Sequence, residues 1–184
     1  KKEESQIKLI VTIVTQLLEK DADIFTENNN KKTAFMLAAE NGHAEVVDLL
    51  INKSKYKYIH EYNNRNRTNS TTTDEVFKAF ILAVDNNHLD IVEIIKEINT
   101  GNRNDRLSLD KPVYTMFDLD KKFVISTDED ITAFMLAVKN NNTEIIKLLK
   151  NKHININDIN QKGNTALMLA VNNGNTEIVN LLLE

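Results

Sequence analysis

Residues 33–50 read TAFMLAAENGHAEVVDLL, and the pattern returns as KAFILAVDNNHLDIVEII at 78–95, TAFMLAVKNNNTEIIKLL at 132–149 and TALMLAVNNGNTEIVNLL at 165–182. The last two copies start 33 residues apart, while the first three are spaced by 45 and 54, which is that period plus 12 and plus 21. Internal repetition decides an architecture ahead of any residue-level motif. Each copy predicts two short helices joined by a tight turn. A unit that small cannot bury its own apolar face, so neighbouring units stack and bury it together as a solenoid.

The residues within a copy have separable jobs. Thr33, Thr132 and Thr165 stand where a hydroxyl accepts a backbone N–H and caps the first helix, and Lys78 holds that place in the second copy. The pairs Ala38-Ala39, Ala83-Val84, Ala137-Val138 and Ala170-Val171 keep one helical face narrow. The turns read Asn41-Gly42, Asn86-Asn87, Asn140-Asn141 and Asn173-Gly174, residues that tolerate a left-handed backbone after a helix. The second helices carry apolar residues at i, i+1, i+3 and i+4, from Val46/Val47/Leu49/Leu50 to Ile178/Val179/Leu181/Leu182, a broad core stripe. Residues 13–25, IVTQLLEKDADIF, align with a second helix and its exit, Leu17-Leu18 matching Leu49-Leu50, so the chain is expected to open inside a repeat.

The period and the consensus T-A-[FL]-M-L-A-[AV]-x-N-[GN]-x-x-E-[IV]-[IV]-x-L-L resemble the ankyrin repeat. The resemblance implies an all-α ankyrin-repeat solenoid of stacked helix-turn-helix units, with two enlarged inter-repeat finger loops. It implies one domain over 1–184: a partial repeat at 1–29, repeats near 30–52, 74–98, 127–157 and 158–184, and insertions at 53–73 and 99–126. Ala34, Ala79, Ala133 and Ala166 stand where the family usually has Pro. Met36, Ile81, Met135 and Met168 stand where it usually has His, so apolar packing is expected to replace the family's Thr–His hydrogen bonding. Neither end carries the polar capping repeat a solenoid needs for solubility, and a segment of a larger, bacterial-type protein is expected.

The insertions hold what the repeats exclude. All four Tyr (Tyr56, Tyr58, Tyr62, Tyr114) and every Arg (Arg65, Arg67, Arg103, Arg106) lie in them. Tyr and Arg supply large contact area with directed hydrogen bonds and are enriched at interface hot spots. The same residues also collect in loops simply because repeat cores exclude them. The first insertion is basic, with five positive charges against one negative from Lys53 to Thr73, and reads as a solvated loop. The second contains VYTMFDLDKKFVI, two β-rich runs around Asp118–Lys121, including Phe117 and Phe123, and reads as a hairpin. Both rejoin the repeat through Thr-Asp-Glu, at Thr73-Asp74-Glu75 and Thr127-Asp128-Glu129, which predicts that the following helix begins up to a turn early in each case.

Composition narrows the function class. The chain has 184 residues, 41% apolar and 27% charged, with four Gly and one Pro, as a mostly helical globular fold requires. With no Cys there is no disulfide scaffold, thiol nucleophile or Cys-ligated metal site. A net charge of −4 argues against general nucleic-acid binding, and no run of 18 apolar residues crosses a membrane. Residues 7–18 look superficially like a signal sequence, but Thr12, Thr15 and Gln16 and the missing cleavage site favour a helix.

No catalytic motif emerges. Asp118, Asp120 and Glu129 fit a calcium-loop template, but Lys122 and Phe123 break it. His43 and His88 read as packing residues, and His60 and His153 lack a spaced partner. No cofactor is implied, and the chain is expected not to be an enzyme.

What the resemblance implies is therefore a protein-interaction module, a scaffold that acts by shape and polar matching. Carried over by repeat position, the fingers and first-helix surface comprise Lys32, Glu40, Asn41, Asp85, Asn86, Lys139, Asn140, Lys162, Asn172 and Asn173. The expected partner is another protein, with no nucleic acid and no membrane, bound by a monomer in the cytoplasm, or in a host cytoplasm for a secreted bacterial effector. The competing reading is a targeting arm of a larger enzyme or effector whose catalytic domain lies elsewhere.

Overall fold

The computed structural model describes residues 2–62, 70–99, 123–124, 130–150 and 154–184. The chain divides into two compact units, Lys1–Met116 and Phe117–Glu184. The first contains α1 (Lys2–Glu19), α2 (Ala34–Glu40), α3 (Ala44–Tyr62), α4 (Ser70–Asp85) and α5 (Leu89–Asn99). Here α1 packs on α3, α2 on both α3 and α4, α4 on α5, and α3 on α5. The second contains a two-stranded ladder, β1 (Phe123–Val124) and β2 (Asp130–Ile131), then α6 (Ala133–Lys139), α7 (Thr143–Leu149), α8 (Ala166–Asn172) and α9 (Thr176–Leu183). There α6 packs on α7 and α8, and α8 on α9.

The repeat grammar is realised residue by residue. Thr33, Thr132 and Thr165 accept the backbone N–H of Met36, Met135 and Met168 at 3.3, 3.2 and 3.3 Å. Met36 and Met135 are buried, the apolar substitute for the missing hydrogen-bonding pair. After each first helix the chain turns through a left-handed residue: Gly42 (φ 76°), Asn87 (61°), Asn141 (59°) and Gly174 (68°). Of the second-helix stripes, Val46, Val47 and Leu50, then Ile91, Val92 and Ile95, then Ile145, Ile146 and Leu149 are fully or nearly fully buried. Burying one such side chain contributes about 1.5–3 kcal/mol before entropy is counted. The opening segment is one long helix, α1, in the place of a second helix.

Three expectations are corrected. The first insertion is largely helix: α3 runs on to Tyr62 and α4 begins at Ser70, so residues 53–62 and 70–73 extend the flanking helices rather than forming an open loop. The helix start after it lies well over a turn before Lys78, which stands inside α4 with its side chain exposed. After the second insertion α6 does not start early at all. Asp130 and Ile131 pair antiparallel with Val124 and Phe123, so the chain arrives extended at Thr132, which caps α6 as Thr33 caps α2. Phe123, Val124 and Ile131 are aromatic and β-branched residue types that suit the extended state, and here this overrides the acidic helix-start signal. The hairpin expected around Asp118–Lys121 lies outside the described residues; within them, 123–124 pair with 130–131.

Candidate interaction surface

The fingers are built from asparagine. Asn28 Oδ1 accepts the N–H groups of Asn30 and Lys32 at 2.9 and 3.1 Å. In the second unit Asn160, itself buried, accepts those of Lys162 and Asn164 at 3.0 and 2.9 Å. The same two main-chain bonds close both fingers: Asn28 N–H to Lys32 O and Lys31 N–H to Asn28 O, and Asn160 N–H to Asn164 O and Gly163 N–H to Asn160 O. Gly163 has φ 76° and Lys31, at the same place, φ 59°. A side chain there carries the left-handed penalty that glycine avoids.

The helix ends consume much of the polarity read as a binding surface. Lys32 Nζ lies 2.6 Å from both carboxylate oxygens of Glu40, a charge-assisted clamp between finger and helix end. Asn41 and Asn86 each turn the side-chain amide back to the carbonyl four residues earlier, at 2.8 and 2.9 Å, closing the last turn of α2 and α4. Asn173 donates across to the neighbouring first-helix end, to Lys139 O at 2.9 Å and Val138 O at 3.2 Å. Lys139, Lys162 and Asn172 are exposed, and Asp85 and Asn140 are half-buried.

One residue had more to it than its sequence context suggested. His88 Nε2 lies 3.0 Å from Glu40 O, so that nitrogen carries the proton, because a carbonyl only accepts. Lys139 is the residue at Glu40's place in the second unit, and its carbonyl is met instead by Asn173. The His88 ring also lies over Gly42, where an added Cβ would come within 2.7 Å of Cε1. At the corresponding places in the second unit are Asn141 and Asn175, joined side chain to side chain at 3.1 Å. Glycine under histidine and asparagine under asparagine are two solutions to one packing problem. Only a side-by-side alignment of the repeats in register would have exposed this in the sequence.

The insertion residues divide differently. Tyr56, Tyr58 and Tyr62 lie on the helical backbone of α3, Tyr58 and Tyr62 one turn apart, and Phe123 lies in β1. Arg65, Arg67, Arg103, Arg106, Tyr114 and Phe117 lie outside the described residues, as do His153 and residues 118–122 of the calcium-loop template. Among the described residues no cluster of His, Asp or Glu is arranged to hold a metal ion. No helix of the described residues is long and apolar enough to cross a membrane.

The periodicity, the capped first helices and the left-handed turns define a helical repeat protein. A model of the ankyrin-repeat family, in three copies, matches residues 8–105 and 113–184, and the chain belongs to that family. Ankyrin repeats are protein–protein interaction modules. No curated protein matches the chain.

Proposed function

We propose that this chain binds a partner protein, without catalysis, through the fingers and exposed first-helix ends and through the Tyr- and Arg-bearing insertions. The observation that carries the reading is the division of labour in the repeats. Apolar side chains are spent on stacking, with Ala39, Val47, Ala137 and Ile146 fully buried. The helix ends and fingers are held by local hydrogen bonds before any partner arrives. A preformed surface loses little conformational entropy on binding.

The candidate residues divide into two roles within this proposal. Lys32, Glu40, Asn41, Asn86 and Asn173 already hold the repeats together, so they act mainly by fixing shape. Lys139, Lys162 and Asn172 are exposed and suit direct polar contact with a partner. Tyr56, Tyr58 and Tyr62 suit the anchoring role that aromatic side chains take at interfaces.

The test is affinity capture with wild type and two variants of equal thermal stability. One variant carries Lys139→Glu, Lys162→Glu and Asn172→Glu, the other Tyr56→Ser, Tyr58→Ser and Tyr62→Ser. Loss of the same captured protein from either variant supports the proposal. An unchanged set of captured proteins from both variants contradicts it.

A further inference from the structure

An isolated carboxyl group is buried at the root of the first insertion. Glu75 lies in the second turn of α4, 7% exposed, and lines a narrow pocket walled by Ile24, Phe25, Phe35, Leu50, Ile51 and Val76. Among the described residues its carboxyl has no hydrogen-bond partner and no ion pair. The repeat itself does not demand this. In register, Glu75 stands where two other fingers have Asn30 and Lys162, both exposed; the third has Glu129, outside the described residues. It is buried because the insertion turned a finger into the first turns of a helix.

The charged groups facing it do not rescue it. Asp23 and Glu27, on the segment after α1, are of the same sign, and among the described residues Lys78 on α4 itself is the one positive group acting on it. From α2 and α3 the pocket receives only Phe35, Leu50 and Ile51. A neutral carboxylic acid fits such walls, whereas a carboxylate there is desolvated and has only the exposed Lys78 to offset it.

We propose that Glu75 is a proton-operated latch: neutral, it seats the first turns of α4 on this pocket, and ionised, it draws them out into water. Packing decides which part moves. From Val76 onward α4 is locked in, with Val76 and Phe77 at 4% and 5% exposure and Ala79 and Phe80 at 0%. Helix ends open at least cost, so Ser70–Glu75 are released while the remainder stays. In the chain the released turns follow the Tyr-bearing end of α3, so the latch also governs how that end is presented. That last step rests on the proposed binding role; the latch itself does not.

The direction with pH follows from burial, which raises the seated carboxyl from 4.5 to about 7, with Lys78 opposing and Glu27 and Asp23 adding to the rise. The seated form then holds a proton that the released form gives up. Release is least below about pH 4.5, grows about tenfold per pH unit above it, and levels off beyond about pH 7.

Hydrogen–deuterium exchange of the whole chain, corrected for the intrinsic pH dependence of exchange, reads this directly. Between about pH 5 and 7 the amides of 74–76, which bond back to the released turns, should lose roughly 40-fold in protection while those of α2 and α5 hold, and Glu75→Gln should abolish the slope. Equal slopes in wild type and Glu75→Gln, or a loss shared by α2 and α5, would overturn the latch. Should Glu75→Gln not fold, Glu75→Met serves in its place, with the same flat profile expected. Carbon-13 NMR of the wild-type Glu75 carboxyl needs no variant: a midpoint near neutrality supports the latch, and one in the ordinary carboxylate range overturns it. Both readouts are independent of any partner.

Discussion

Replacing Gly42 with Asn while leaving His88 in place forces a side chain into the ring that now lies over the glycine. A Cβ at residue 42 would stand 2.7 Å from His88 Cε1 and 2.8 Å from Nδ1, closer than non-bonded atoms approach. The ring has to move, which also breaks its 3.0 Å bond to Glu40 O. Overpacking of this kind costs about 1–3 kcal/mol and a lost hydrogen bond about 1, so Gly42→Asn should destabilise by about 2–4 kcal/mol. The left-handed backbone is not the main cost, since Asn87 and Asn141 occupy the same place at φ 61° and 59°. His88→Asn alone should cost about 1 kcal/mol. The double variant recreates the Asn141–Asn175 pair of the second unit and should lie within about 1 kcal/mol of wild type, a coupling of about 2–4 kcal/mol. Urea titration followed by circular dichroism measures all four corners of the cycle. Gly174→Asn is the control, because nothing lies within 4 Å of a Cβ there. Additive costs, within about 0.5 kcal/mol, would refute the reasoning.

Two further outcomes follow from comparing equivalent positions. Met135 is 2% exposed and Met168, at the same place in the last repeat, 54%. Met135→Glu should therefore cost more than about 3 kcal/mol and Met168→Glu under about 0.5, and similar melting of the two variants would show that register does not set burial. Lys31→Gly relieves a left-handed lysine and should raise stability by about 0.5–1 kcal/mol, whereas Gly163→Lys should lower it by a similar amount, both read by thermal unfolding.

The repeat fold was legible in the sequence because caps, turns and core stripes are local. Thr33 caps α2 with a residue three positions on, and Asn141 turns the chain in a conformation few residues tolerate. The insertions were less legible, since their conformation is set by what they meet rather than by their own pattern. Thr73-Asp74-Glu75 and Thr127-Asp128-Glu129 carry the same helix-start signal, yet the first lies within α4, and the second is followed at once by the β2 strand. The difference lies in pairing with Phe123 and Val124, a tertiary fact. His88 escaped for a related reason. Its partners, Gly42 and Glu40 O, lie one repeat away, and a histidine after a turn carries no mark of what it touches. Likewise Glu75 read only as part of a helix-start signal, because the extra helical turn before it was not foreseen.

Recognition is proposed to use the first-helix ends and the Tyr-bearing insertion rather than the outer surface of the second helices. Site-specific photo-crosslinking tests it most directly, with the crosslinker placed in turn at Asn172, at Tyr58 and at the exposed Glu144 of α7. Adducts to one partner protein are expected from Asn172 or Tyr58 and none from Glu144. Adducts from Glu144 alone would contradict it.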